Sequence, residues 1–256
     1  MQKIQKKYCL KFISFSAAWI LFISCNNKKE QAETENLILD ERITEKPQSA
    51  KTSPFENSMI SQGLVNIQTL DSTILVDLKY SSKDNFFGED VYGDFDKGFL
   101  QKKPAEELAK ANDYLKTINP ALRLLIYDAT RPHSIQVILW EKLDSIPPKR
   151  RKDFVADPSE GSIHNYGCAV DLTLFDVNKQ EPLDMGTKYD FFGDLAYPRL
   201  ENKMQKLGKL SEQQISNRVL LRNVMKKYSF ESINSEWWHF NFYSRAKAKE
   251  LYKIVN

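Results

Sequence analysis

The sequence predicts an α+β fold in which helices flank a mixed or antiparallel sheet. Short apolar runs of strand type, a capping box before a segment of helical periodicity, and a mixed order of these elements along the chain support this fold class. The chain has 256 residues, which is enough for one large domain or two small ones. No internal repeat or second linker is visible, so we predict one domain over residues 59–256.

The first 24 residues are typical of an export signal. Lysines from Lys3 to Lys11 precede an apolar stretch, 12–23, and Ser24 precedes Cys25. This pattern resembles a bacterial lipoprotein signal that is cleaved before Cys25, where the lipid is attached. A transmembrane anchor is the alternative, but about a dozen apolar residues fall short of the ~20 needed to span a bilayer. We therefore predict a lipid-anchored protein of the cell envelope, periplasmic or on the outer membrane.

Residues 25–58 are predicted to be a flexible polar tether. The segment is rich in Lys, Glu, Asn, Gln, Ser and Thr and has few large apolar residues, so it cannot bury enough surface to fold alone.

Removal of the signal changes the charge balance. The full chain has 37 lysines and arginines against 34 acidic residues. Four lysines leave with the signal, so the mature chain is near neutral. Because no basic stripe is visible, we expect no nucleic-acid partner.

The cysteines offer no intrachain disulfide in the mature protein. Cys9 lies in the signal and Cys25 would carry the lipid, which leaves Cys168 alone. A nucleophile or a fourth metal ligand is conceivable there, but a lone cysteine in an apolar sequence usually behaves as a small buried hydrophobe.

Four segments are predicted to be strands. Residues 73–80 alternate between apolar and polar side chains, and residues 122–127 form a short apolar run. Residues 169–174 and 238–243 also alternate.

Three segments are predicted to be helices. Pro104 and the acidic residues after it suit a first turn, so a helix should run to about residue 117. Another should cover 134–143, just after Pro132. The capping box of Ser211 and Gln214 predicts a helix that ends near residue 227.

The chain contains three histidines, and His164 lies near an acidic residue at a useful spacing. On its strand, Asp171 points away from the apolar side formed by Val170 and Leu172. His164 lies seven residues earlier, so the chain must turn between them, and Gly167 provides that turn. A surface histidine and a strand-edge acid paired with a lysine are the alternative interpretations.

The segment Glu236-Trp237-Trp238-His239 supplies another ligand candidate. Alternation puts Trp238 and Phe240 on one side of the strand and His239 on the other. Glu236, three residues earlier, can then approach a bound water without occupying the metal, as a general base requires. An aromatic core strand with a hydrogen-bonded histidine is the alternative.

Together, His164, Asp171 and His239 fit the three protein ligands of a catalytic zinc site, which keeps one position for a water. Zinc hydrolysis also needs a carboxylate that moves protons, for which Glu236 is the candidate, and a cation near the developing oxyanion.

Arg131 is the candidate cation. It follows the predicted strand 122–127 and precedes Pro132, so it lies on a stiffened turn. A structural pair with Asp128 is the alternative. His133 could replace Asp171 as a ligand, but it lies at a predicted helix start, two residues from Arg131, and we do not favour it.

Six segments extend this pattern into a family resemblance. They are Asp128-Ala-Thr-Arg-Pro132, Ser162-Ile-His-Asn-Tyr-Gly-Cys-Ala-Val-Asp-Leu-Thr-Leu174, Glu236-Trp-Trp-His239, Asp77-Leu-Lys-Tyr80, Asp84-Asn-Phe86 and Asp184-Met-Gly-Thr-Lys-Tyr-Asp190. They resemble the zinc D-alanyl-D-alanine dipeptidases of the vancomycin-resistance type, among the D,D-peptidase and hedgehog-like zinc peptidases. The Ser-x-His-x6-Asp pattern is shared with D,D- and L,D-carboxypeptidases, whereas Asp-Met-Gly-Thr indicates the dipeptidases.

The resemblance implies a single α+β zinc-peptidase domain with one zinc ion per subunit. In this family His164, Asp171 and His239 would hold the ion, Glu236 would act as base and then as acid, and Arg131 would stabilise the transition state.

The resemblance also places Tyr80, Ser162 and Asp190 near a bound dipeptide. A carboxylate such as Asp190 suits a free ammonium, and hydroxyl or cationic donors suit a free carboxylate. The implied reaction is hydrolysis of D-alanyl-D-alanine to two D-alanine in cell-wall peptide metabolism. The alternatives are a D,D- or L,D-carboxypeptidase that acts on peptidoglycan stem peptides, and a catalytically silent wall-binding module.

Overall fold

The computed structural model describes residues 52–152 and 154–256. The predicted signal, Cys25 and the tether up to residue 51 lie outside the described residues. Across the described ranges, no helix combines the length and the hydropathy that a bilayer crossing requires.

The main sheet is mixed, as the sequence predicts. Its strands, in spatial order, are β2 (Leu75–Val76), β4 (Leu122–Asp128), β5 (Ala169–Asp176), β8 (His239–Asn241) and β7 (Glu231–Ser232), with β6 (Glu181–Pro182) paired to β5. Only the β2–β4 pair is parallel among the pairs of this sheet in the described residues. A separate antiparallel pair joins β1 (Val65–Asn66) to β3 (Phe99–Leu100).

The helices of the described residues lie around this sheet. They are α1 (Pro54–Ser61), α2 (Lys102–Ile118), α3 (His133–Glu141), α4 (Pro148–Arg151), α5 (Glu201–Lys206), α6 (Glu212–Lys227) and α7 (Arg245–Leu251). The predicted capping box forms at the start of α6, where Gln214 N donates to Ser211 Oγ and Ser211 N donates to Gln214 Oε1. The combination of helices with a mixed sheet confirms the α+β fold class.

The hydrophobic core lies between the sheet and the two long helices. Leu124 and Leu172 point from β4 and β5 towards this side and are fully buried. Leu108 of α2 and Leu221 of α6 pack against them in the same cluster. Because side chains alternate across a strand, the opposite side of β5 remains for polar groups, and Asp171 lies there.

The folded unit begins earlier than the predicted boundary at Met59. Helix α1 starts at Pro54, after Ser53, whose hydroxyl accepts a hydrogen bond from Glu56 N. Glu56 is buried and pairs with Lys97 at 2.7 Å. The polar residues here form a helix cap and an ion pair. Composition alone does not distinguish such residues from the polar residues of a flexible tether.

The predicted strand over 73–80 is shorter in the structure. Only Leu75–Val76 pairs as a strand, and Lys79–Ser81 forms a 3₁₀ turn. The turn carries Tyr80 into the interior, where it is 2% exposed. An alternating pattern distinguishes only the two sides of a straight strand. It therefore does not reveal that the chain turns here to bury the ring of Tyr80.

We expect Gly167→Ala to lower the free energy of unfolding by about 2–4 kcal/mol. Gly167 has a φ of 65°, and a Cβ there would lie 2.9 Å from Thr130 Oγ1 and 3.2 Å from Gln101 N. Urea denaturation measures the loss. Gly208→Ala is the matched control, because Gly208 has a φ of 68° but no atom within 4 Å of its Cβ position. Equal losses in both variants would mean that crowding at Gly167 contributes nothing.

Candidate active site

Three neighbouring strands bring polar side chains to one level of the sheet. In the register of β4, β5 and β8, Asp171 is opposite Asp128 on one side and His239 on the other. The β4–β5 register shifts between Ile126 and Asp128. Such a bulge inserts one extra residue and changes the direction of the side chains after it, so Asp128 comes to lie beside Asp171.

His164 is held by a short 3₁₀ turn, Ile163–Tyr166, before β5. Ser162 Oγ accepts from His164 N, and Ser162 N donates to Asn165 Oδ1 at 2.6 Å, which forms a capping box. Gly167 ends the turn in the left-handed region. The turn that the sequence predicts between His164 and Asp171 is therefore present at Gly167.

The three predicted ligands lie together on one side of the sheet, with His164 and Asp171 buried and His239 partly exposed. His164 Nε2 lies 3.1 Å from His239 Nδ1 and 3.3 Å from Asp171 Oδ1. His239 Nδ1 lies 2.9 Å from Asp171 Oδ1. These three atoms form a nearly equilateral triangle.

Both imidazoles have their other ring nitrogen bound to an acceptor. His164 Nδ1 lies 2.6 Å from the carbonyl oxygen of Ala129, and His239 Nε2 lies 2.9 Å from Asn241 Oδ1. A carbonyl oxygen only accepts, so these nitrogens carry the protons. In the neutral form that binds a metal, His164 Nε2 and His239 Nδ1 thus direct their lone pairs into the triangle. Without a metal, burial lowers the pKa of His239, but Asp171 outweighs that effect and raises it to about 9.

The second oxygen of Asp171 is also engaged. Tyr189 donates its hydroxyl to Asp171 Oδ2 at 2.9 Å. Burial raises the pKa of Asp171, but His164 and His239 outweigh that effect and hold the pKa well below its usual value. Asp171 is therefore an anion with one oxygen free for the triangle.

Arg131 is fixed as a cation beside this cluster. Its Nε and Nη2 donate to Asp128 Oδ2 at 2.9 and 2.7 Å, and its Nη1 donates to Gln136 Oε1. Burial lowers the pKa of Arg131, but Asp128 outweighs that effect and raises it well above the usual value. Arg131 pairs with Asp128 and also lies 3.9 Å from Asp171 Oδ2. A structural ion pair and a cation beside the predicted ligands are therefore compatible interpretations of Arg131.

Glu236 lies beside the triangle without joining it. Its Oε2 is 3.8 Å from His239 Nδ1, and its side chain is 30% exposed. Burial raises the pKa of Glu236 above its usual value, although His239 opposes the shift. A carboxylate with a raised pKa near a hydrolytic site suits proton transfer.

A second carboxylate, Asp190, lies at another part of the site. Tyr80 donates its hydroxyl to Asp190 Oδ2 at 3.0 Å. Burial and the charge of Asp171 raise the pKa of Asp190 well above its usual value. Asp190 has a φ of 55°, a sparsely populated conformation that often marks functional sites.

All eight predicted catalytic, ligand and substrate residues line one cavity of about 340 Å³. They are Tyr80, Arg131, Ser162, His164, Asp171, Asp190, Glu236 and His239. His133 does not join them, because its Nε2 is bound to the Pro158 carbonyl. Cys168 is fully buried, and burial raises its pKa to about 12, as expected for a small hydrophobe.

Sequence reasoning missed two polar residues that hydrogen-bond to the predicted ligands. Asn241 holds His239, and a period of two along β8 could have indicated it, because Asn241 lies on the side of His239. Tyr189 holds Asp171, and its position next to Asp190 was the available signal. Trp238 was expected to share the side of Phe240, but it precedes the strand and lines the cavity.

A hydrolase that uses one metal ion needs three ligands, a proton carrier and a cation near the reacting carbonyl. The residues described around this sheet supply a candidate for each of these groups in one cavity. The α+β fold and this site therefore define a metallopeptidase.

Comparisons with known proteins agree with this class. The family model described as D-ala-D-ala dipeptidase matches residues 60–254. The D-alanyl-D-alanine dipeptidase of Escherichia coli (strain K12) is 32% identical over 180 residues, which cover 69% of this chain and 83% of that protein. The dipeptidase of Enterococcus faecium is 28% identical over 177 residues, or 64% of this chain and 83% of that protein. The chain belongs to the D-Ala-D-Ala dipeptidase family.

A solved LD-carboxypeptidase structure is also similar, with a TM-score of 0.36 and 18% identity over 60% of this chain and 63% of that chain. This likeness is too low to carry an argument about activity.

Proposed function

We propose that this protein hydrolyses D-alanyl-D-alanine to two D-alanine with one zinc ion per subunit. The observation that carries the proposal is the triangle of His164 Nε2, His239 Nδ1 and Asp171 Oδ1, whose edges measure 2.9 to 3.3 Å. A tetrahedral zinc ion with bonds of about 2.0–2.1 Å has ligand atoms about 3.3 Å apart. The donor set therefore fits zinc in both chemistry and spacing.

The cavity suits a small zwitterion. Its volume of about 340 Å³ is at the lower end of the range of about 300–1,000 Å³ for ligand pockets. Asp190 supplies a carboxylate for the free ammonium of a dipeptide, and Ser162 supplies a hydroxyl for the free carboxylate. The names of the curated relatives support D-alanyl-D-alanine as that dipeptide.

When bound, zinc supplies a Lewis acid that polarises the peptide carbonyl and makes a water more acidic. Glu236 takes the proton from the attacking water at its carboxylate oxygen. It then gives the proton to the nitrogen of the leaving amine, which leaves as D-alanine. Arg131, held in place by Asp128, presents its charge to the oxygen that becomes negative. Asn241 and Tyr189 keep the imidazole of His239 and the carboxylate of Asp171 in position.

We expect Glu236→Gln to lower kcat for D-alanine release from D-Ala-D-Ala by about 10²–10⁴-fold, because an amide cannot carry the proton. Chelation of zinc should abolish release, and added zinc should restore it. Glu231→Gln, which changes an exposed acid on β7, is the matched control. Wild-type rates in Glu236→Gln would contradict the role of Glu236 as proton carrier. Full activity after chelation would contradict the requirement for a metal.

The same assay separates the rival functions. Faster release from a pentapeptide that ends in D-Ala-D-Ala than from the free dipeptide would indicate a carboxypeptidase. Binding to peptidoglycan without release from either peptide would indicate a wall-binding module.

We expect Asn241→Ala to raise the Kd for zinc by about 10–100-fold, because the residue behind a histidine ligand fixes its tautomer and direction. Competition with a chromophoric chelator measures this Kd without any reference to activity. Asn241→Asp keeps an oxygen acceptor for His239 Nε2 and should bind zinc nearly as the wild type does. A Kd for Asn241→Ala within about twofold of the wild-type value would contradict this role.

We also propose that Cys25 carries a lipid that anchors the protein to a membrane of the cell envelope. The lysines, the apolar stretch 12–23 and Ser24-Cys25 support this proposal. We expect Cys25→Ala to lose incorporation of labelled palmitate and to leave the membrane fraction. Cys168→Ala is the control and should keep the label. Incorporation of palmitate by Cys25→Ala would rule out this anchor.

A further inference from the structure

A cluster of four phenylalanine rings lies next to the site, and we refer to it as the aromatic wall. It consists of Phe86, Phe87, Phe154 and Phe192. The ring of Phe192 lies 5.3 Å from that of Phe86 and 4.7 Å from that of Phe154, and Phe86 lies 4.8 Å from Phe87. The wall thus joins three segments that are far apart in the sequence, although Phe192 is 42% exposed.

The aromatic wall is linked to Asp190. Phe87 stacks on the ring of Tyr80 at 6.0 Å, and Tyr80 donates to Asp190. Phe192 follows Asp190 by two residues, and Phe154 lines the main cavity. The Asp190 carboxylate and the aromatic wall are therefore connected through Tyr80.

Very little space separates the wall from the site. A cavity of about 20 Å³ is lined by Asp190 and Glu236 on the side of the site and by Phe154 and Phe192 of the wall. A volume of this size holds about one water. An additional amino-acid residue does not fit there while the rings keep their positions.

Asp190 also indicates which end of the substrate faces the aromatic wall. Under the proposed function, the ammonium of the dipeptide lies at Asp190. A longer peptide carries its extra residues on that nitrogen, so they would have to pass Asp190 into the space that the rings fill.

We propose that the aromatic wall restricts the substrate to free dipeptides by closing the amino end of the site, with Phe154 and Phe192 as specificity-determining residues. This inference rests on the proposed function, because the direction of the bound peptide comes from it. The wall excludes longer peptides sterically, and Asp190 adds a preference for a free ammonium.

The test compares D-alanine release from D-Ala-D-Ala and from a tripeptide that carries one L-amino acid before the same pair. We expect the double variant Phe154→Ala/Phe192→Ala to raise kcat/KM for the tripeptide relative to the dipeptide by about tenfold, mainly through KM. The ratio of the two substrates is independent of the fraction of protein that is folded. Phe55→Ala, which removes a half-buried ring outside the cavity, should leave the ratio unchanged.

An unchanged ratio in the double variant, or an equal change in Phe55→Ala, would overturn the inference. A wild type that prefers the tripeptide would overturn it as well. If the wild type splits neither peptide, the proposed function fails on its own, and calorimetric titration with the tripeptide in the presence of zinc decides the inference. Tighter binding of the tripeptide to the double variant than to the wild type would then support the wall, and equal affinity would overturn it.

Discussion

The register between β4, β5 and β8 is the constraint on which the site depends. It places Asp171 opposite both Asp128 and His239, so two predicted metal ligands and the residue that anchors Arg131 share one level of the sheet. A slip of one residue would turn Asp171 into the core, because strand side chains alternate with a period of two. The buried leucines on the other side of β4 and β5 prevent that slip, since it would expose them. Hydrophobic packing thus fixes the positions of the polar groups.

The buried charges of Asp128 and Arg131 are partners of one another. Asp128 accepts from Arg131, from the hydroxyl of Tyr92 and from Ala129 N. An isolated buried charge is costly, and one that is paired and hydrogen-bonded is tolerated. Arg131 is consequently held in one orientation before any substrate arrives. A cation fixed in this way needs no reorganisation when negative charge develops on a substrate oxygen.

The sequence could predict those parts of the site that local patterns encode. Alternation in 169–174 gave the side of Asp171, and Gly167 gave the turn that returns His164. The bulge after Ile126 could not be predicted, because it arises from pairing between strands that are distant in sequence. The start of the fold near Pro54 was missed for a similar reason, since buried Glu56 pairs with Lys97, which lies 41 residues later in the chain. The aromatic wall also joins distant segments and has no local signature.

Asp190 connects the chemistry of the site to its shape. Within the described residues its carboxylate receives one hydrogen bond, from Tyr80, and has no ion pair. Burial of such a group costs free energy, and a ligand ammonium would offset that cost. The left-handed backbone at Asp190 turns this carboxylate into the cavity, and Phe192, two residues later, joins the rings outside it. Under the proposed function and the inference drawn from it, this one turn would supply both the carboxyl group that holds a free amino group and the ring that limits what can be attached to it.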